Sequence, residues 1–433
     1  MRFIQLISKN QINKLLNHRE SLIINISLSL SIFYFCIRFL DCFYFMQFPT
    51  GDERVFYNDF TFLIDNDIFN SIINGVSIPY ILLAKLVSSI TKVEHMSLRI
   101  SGSISTICLI LYLFLKIKID TFYKKSFLAY LLFIISSTGA TIHGTNDSLF
   151  FLAFIIFSFE ALKVFEKSNN LLLYLSSSIM IATRPVALIY LFIFIFSFFL
   201  NEFIKKLRNK KKSVNFEIVK PIGFGILVIT ILSIPRFYNN NFSFSFSDKS
   251  IDKRGLTWTE WVFYSQNIAY RDEKKNMFND MVDFREVLEY KKSTDSFSLP
   301  KTPLEYLLFD PFILLKRIIF SFFEVMIISI RYTGILLIIF PMYVFKKFYR
   351  IKDFNRLGII SFILAGILTW IIIWPGLVQH RWLYPFYISI ALIIWDIDEV
   401  FKNVFHKLSL YNLLLIDIII IWSLWKENFF YNI

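Results

Sequence analysis

Residues 21–40 read SLIINISLSLSIFYFCIRFL, and residues 51–60 read GDERVFYNDF. The first stretch carries one charge, Arg38, and has the length an α-helix needs to cross roughly 30 Å of hydrocarbon. The second puts Asp52 and Glu53 side by side just past that run, with Asp59, Asp65 and Asp67 close behind. Acids this near a bilayer stay ionised only on its aqueous side. Two adjacent carboxylates at a membrane edge can serve as a general base and its orienting partner. They can also bind a cation, or keep the loop in water.

Apolar runs of the same kind recur along the chain. Of 433 residues, 56% are hydrophobic, above the share usual in soluble domains. The expectation is an all-α polytopic membrane protein with no separate soluble enzyme domain. The net charge of +13 does not point to nucleic acid, because the basic residues sit in short clusters between apolar runs. That is the pattern of cytoplasmic loops. Cys36 and Cys108 fall inside apolar runs and Cys42 just after one, so no disulfide framework is implied.

Lysine and arginine set the expected orientation. Arg2, Lys9, Lys14 and Arg19 precede the first run, which has no small-residue cleavage site after it. It reads as an uncleaved anchor with a cytoplasmic N-terminus, placing the acidic loop outside. Residues 77–92 are apolar but short and contain Lys85, so they are expected along the interface as an amphipathic helix. Span two (97–115) then runs inward to Lys116, Lys118, Lys124 and Lys125. Spans three (126–142) and four (148–165) enclose a tight outer turn. Residues 171–203 hold two spans broken at Arg184-Pro185. KKLRNKKK (205–212) lies inside, and span seven (216–235) leads out to Arg236.

A mixed-charge stretch follows to about residue 302, too long for idle connection. A second interfacial helix is expected at 303–322. Spans then follow at 324–345, 357–374, from Trp382, and at 409–425. The total is about eleven spans, counted by apolar length. The organisation read from this is a transmembrane module over 1–235, with an acidic first external loop at 42–96. A long external loop and interfacial helix occupy 236–323, and C-terminal spans 324–433.

Several residues could carry chemistry. Asp147 sits at the mouth of spans three and four; with Asp52 it would make a bipartite acidic site. His143, four residues earlier, is a candidate substrate contact, although a lone histidine at a turn is more often structural. Tyr57 in the acidic loop is another. His380 and Arg381 open span ten in QHRWLYPFY, as snorkelling interface residues or as cations for a lipid phosphate. Arg184 is costly between apolar halves unless paired. Arg99, ahead of span two, is an anchor or a ligand. Trp258, Trp261 and Tyr264 share a helical face able to stack on a sugar or to dip into lipid. The sequence shows no nucleotide-binding glycine pattern and no metal-spaced Cys/His set.

The order of these stretches resembles the polyprenyl-phosphate-sugar-dependent glycosyltransferases of the GT-C fold, the class of protein O-mannosyltransferases and the lipid A aminoarabinose transferase. The likeness runs through Asp52-Glu53, Pro79, Arg99 in LRISGSISTICLILYLF, GTNDSLFFLAF with Asp147, TRP at 183–185, and HRWLYP. It covers roughly the first 200 residues well and the remainder loosely. The basic residue that often precedes the proline of the interfacial helix is absent before Pro79, and the loop at 236–302 has no counterpart.

The resemblance implies inverting transfer of a sugar from a polyprenyl-phosphate donor to a cell-envelope glycan, lipid or protein on the external face. Asp52 would be the base, Asp147 a second acidic residue, and arginine the partner of the leaving phosphate. It requires no cofactor, while the carboxylates leave room for a divalent cation. The competing expectations are a polysaccharide polymerase or ligase, and a lipid-linked glycan flippase.

Overall fold

The computed structural model describes residues 2–426 apart from 42, 44–51, 75, 93, 117–120, 139–143, 165–170, 185, 210–218, 240–254, 270–281, 295–298, 310, 338, 343–356, 374–381 and 396–401. Among the described residues the chain is all helix. The first half comprises α1 (Arg2–Leu40), α2 (Asp52–Asp65), α3 (Ile68–Ile73), α4 (Ile78–Thr91), α5 (Glu94–Lys116), α6 (Thr121–Thr138), α7 (Asp147–Val164), α8 (Leu171–Thr183), α9 (Ala187–Asn209) and α10 (Val219–Tyr238). The second half comprises α11 (Trp258–Phe263), α12 (Phe284–Ser293), α13 (Pro303–Phe309), α14 (Pro311–Thr333), α15 (Leu357–Ile373), α16 (Tyr384–Trp395) and α17 (Lys402–Lys426).

Four of these helices are long and apolar enough to cross a membrane by length and composition: His18–Leu40, Met96–Lys116, Val219–Tyr238 and Lys407–Lys426. Four shorter apolar helices stand beside them, at Ile78–Thr91, Leu171–Thr183, Ala187–Leu200 and Phe362–Ile371. The architecture is that of a multi-pass, all-helical membrane protein.

Local chemistry accounts for several helix ends. Ser77 and the following proline start α4, and Lys92 ends it in the left-handed conformation at φ 58°. The expected break falls between Thr183, where α8 ends, and Ala187, where α9 begins. One boundary differs from expectation. The interfacial helix expected at 303–322 and the span expected at 324–345 are not separate at residue 323. A single helix, α14, runs through to Thr333. Nothing in FSFFEVMIISIRYT breaks a helix; the chain turns instead at Gly334, with φ 59°.

Asn412 of α17 closes that turn. Its side-chain oxygen accepts from Ile335 N at 2.8 Å, and its amide donates to Thr333 O at 3.2 Å. The last helix therefore satisfies backbone groups that the end of α14 leaves open.

The interior is aromatic, as 52 phenylalanines in one chain require. Phe154 of α7 lies 5.1 Å from Phe386, 5.6 Å from Phe362 and 5.9 Å from Tyr190, ring centre to ring centre. These contacts tie α7 to α16, α15 and α9 by edge-to-face and stacked pairs. Around them α1 packs on α6 and α17, and α8 packs on α7 and α10. A separate small core, with Leu256, Phe263, Tyr264, Val287 and Tyr306, holds together the segment between α10 and α14.

Candidate active site

Four stretches distant in sequence meet at one end of the bundle, where α5 and α7 begin and α8 finishes. Glu53, in the first turn of α2, forms a bidentate pair with Arg99 of α5. Arg99 Nε lies 2.7 Å from Oε1 and Nη2 2.8 Å from Oε2. Both side chains are buried, with 2% and 0% of their surface exposed. Backbone N–H of Gly144 also donates to Glu53 Oε1, at 2.9 Å. Gly144 is required there, because a Cβ at this position would lie 2.6 Å from Glu53 Oε1 and 2.8 Å from Leu98 Cβ.

The run from Gly144 continues into the second pair. Asp147 opens α7, where the positive end of the helix dipole favours a carboxylate. It pairs with Arg184, at the break between α8 and α9, and accepts from Thr145 Oγ1 at 3.1 Å. Asn146 locks the two loops together. Its amide nitrogen donates to Thr183 O at 3.0 Å and to Ser77 Oγ at 3.3 Å, and its oxygen accepts from Arg184. Arg184 also stands over the Phe150 ring, 5.7 Å from its centre.

Tyr80 of α4 lies against both pairs. Burial, then the charges of Glu53 and Asp147, push its phenol well above the ordinary tyrosine range. It stays protonated and donates to Leu98 O at 2.8 Å. Arg236, at the last turn of α10, is buried at the same end with Nε 3.5 Å from Ile73 O.

The fold therefore assembles Glu53, Asp147, Arg99 and Arg184, all singled out in the sequence, into one cluster. The two arginines differ in reach. Arg99 is fully buried against Glu53, whereas the Arg184 side chain keeps 16% of its surface exposed beside Asp147. Arg184 is thus the better placed of the two to meet an incoming anion. Asp52 opens α2, but its side chain lies outside the described residues, as do His143, His380, Arg381 and the side chain of Trp258. Tyr57 is partly buried against the main core.

The aromatic face of the long loop is turned to another use. Trp261 donates from Nε1 to Val282 O at 2.9 Å, and Tyr264 is buried with its hydroxyl 3.1 Å from Glu286 Oε1. Tyr264 is part of the small core, and Trp261 packs partly buried against it. Tyr80 and Asn146 were not foreseen. Their stretches, SIPY and GTND, were legible as helix starts, but a single sequence carries no mark of which polar side chain turns inward.

Among the described residues, no group of three or more His, Cys, Asp or Glu side chains is placed to hold a metal ion. Each carboxylate of the cluster faces a guanidinium instead. Comparison with family models, with curated proteins and with solved structures finds no match. The fold and site define a multi-pass helical membrane protein with two acid–arginine pairs at one end of its bundle.

Proposed function

We propose that this protein is a membrane glycosyltransferase that moves a sugar from a polyprenyl-phosphate donor to a cell-envelope acceptor (glycan, lipid or protein) at the external face of the membrane. The observation that supports this reading most is the convergence of Glu53, Arg99, Asp147 and Arg184 beside the helix that begins with the Asp52-Glu53 doublet. An amphiphilic donor needs a polar site level with the headgroups, roofed by short helices and floored by spans. The cluster lies where α2 and α4 pack against α5 and one another.

In this reading the carboxylates have different tasks. Glu53 is saturated by Arg99 and by Gly144 N–H, so it positions the start of α2 rather than moving a proton. Asp52 is the base. It takes the proton of an acceptor hydroxyl as that oxygen attacks the anomeric carbon. The bond from the anomeric carbon to the phosphate oxygen breaks, and polyprenyl phosphate leaves with the electron pair. Arg184 offsets the charge that grows on the phosphate, as positioned cations do for other leaving groups.

The test is transfer in proteoliposomes supplied with radiolabelled polyprenyl-phosphate sugars, scoring release of polyprenyl phosphate. Asp52→Asn is expected to slow transfer by about 10²–10⁴-fold at unchanged protein level. Arg184→Gln is expected to weaken donor use. Asp52→Asn protein with wild-type turnover would sink the proposal, and so would a wild-type protein that consumes no lipid-linked sugar while moving one across the bilayer.

A further inference from the structure

We infer that the groove between the last turns of α5 and the first turns of α6 is a binding site for an anionic phospholipid. It lies at the opposite end of α5 from Arg99, and the inference does not depend on the catalytic reading. Ile110 and Phe114 form one wall, Leu128 the other, and the buried Phe127 and Leu131 the floor. Lys124 stands at the rim, its ammonium 5.4 Å from the centre of the Phe114 ring.

Charge selects the occupant. Lys116, in the last turn of α5, and Lys125, beside Lys124 on α6, lie on the same ends of these two helices. Lys116 Nζ lies 3.9 Å from Glu160 of α7, which is buried and accepts from the Tyr112 hydroxyl. Lys125 reaches Asn25 Oδ1 of α1 at 3.0 Å. Among the described residues, Lys124 thus stands at the rim of an otherwise apolar trough, with Lys116 and Lys125 adding positive charge on the same helix ends.

That combination fits a molecule with a phosphate at one end and a hydrocarbon chain at the other. The chain lies along Ile110, Phe114 and Leu128, and the phosphodiester meets Lys124. Basic recesses between transmembrane helices hold lipid headgroups in this manner. A choline lipid carries its own cation beside the phosphate and competes with the lysines. The selectivity is therefore for a headgroup with net negative charge. Exposed apolar side chains on the same turns, Leu111 and Leu115, continue the surface into the acyl region.

The experiment is native mass spectrometry of the full-length protein released from nanodiscs containing equal phosphatidylglycerol and phosphatidylcholine. Wild type is expected to retain phosphatidylglycerol preferentially. Lys116→Gln/Lys124→Gln is expected to lower that preference about fivefold per lysine, while Lys124→Arg preserves it. Leu128→Trp, which fills the trough and leaves the charge alone, is expected to reduce retention of phosphatidylglycerol. Equal retention of the two lipids by wild type overturns the inference. So does full preference in Lys116→Gln/Lys124→Gln, or in Leu128→Trp. Lys124→Gln alone supplies the same comparison if the double variant does not fold.

Discussion

Replacing Arg99 by methionine keeps the side chain long and removes its charge, which isolates what the buried pair contributes. Two charge-assisted bonds, at 2.7 and 2.8 Å, disappear together. Each such bond contributes about 1.5–3 kcal/mol. Glu53, only 2% exposed, is then left ionised without its guanidinium. Removing one partner of a buried ion pair costs about 3–5 kcal/mol, and Arg99→Met is expected in that range.

The companion variant is Arg99→Met with Glu53→Gln. Glutamine removes the stranded charge, and its side-chain oxygen still accepts from Gly144 N–H. Much of the loss is then recovered, giving a coupling of about 2–3 kcal/mol in the double-mutant cycle. The assay is reversible unfolding in mixed micelles by SDS titration, followed by tryptophan fluorescence. Because Asp52 adjoins Glu53, the double variant should recover folding without full transfer activity. An Arg99→Met protein within about 1 kcal/mol of wild type, or a double variant whose loss is the sum of the two single losses, refutes the reasoning.

Two further predictions concern close approaches. Gly144→Ala is expected to destabilise by about 1–3 kcal/mol, because its Cβ would press 2.6 Å from Glu53 Oε1 and push the pair apart; the same SDS titration measures it. Asn412→Leu removes the side-chain partner of Ile335 N and one of the two donors to Thr333 O, which keeps the Tyr130 hydroxyl, for an expected loss of about 1–3 kcal/mol. Hydrogen exchange at the end of α14 should rise with it, and unchanged protection there counts against the capping role.

The all-helical, membrane-spanning class, the interruption after Thr183 and the short helix at Ile78–Thr91 were legible in the amino-acid sequence, whereas of about eleven expected spans four of the described helices have the length and apolarity to cross a membrane. Their causes are local: apolar length, a missing N–H, a charge in a short run. The sequence alone also nominated Glu53, Arg99, Asp147 and Arg184 as chemically interesting. It could not say which arginine meets which acid. Those partners stand 46 and 37 residues apart, and only helix packing brings them together. The burial of Tyr264 was likewise hidden, since a helical face shows periodicity but not what it faces. The end of α14 at Gly334 rests on both levels. Glycine permits the left-handed turn, and Asn412, from the last helix, makes the break satisfiable away from water. Local sequence determined where helices could form and stop; burial of charge against charge across distant helices decided which residues became a site.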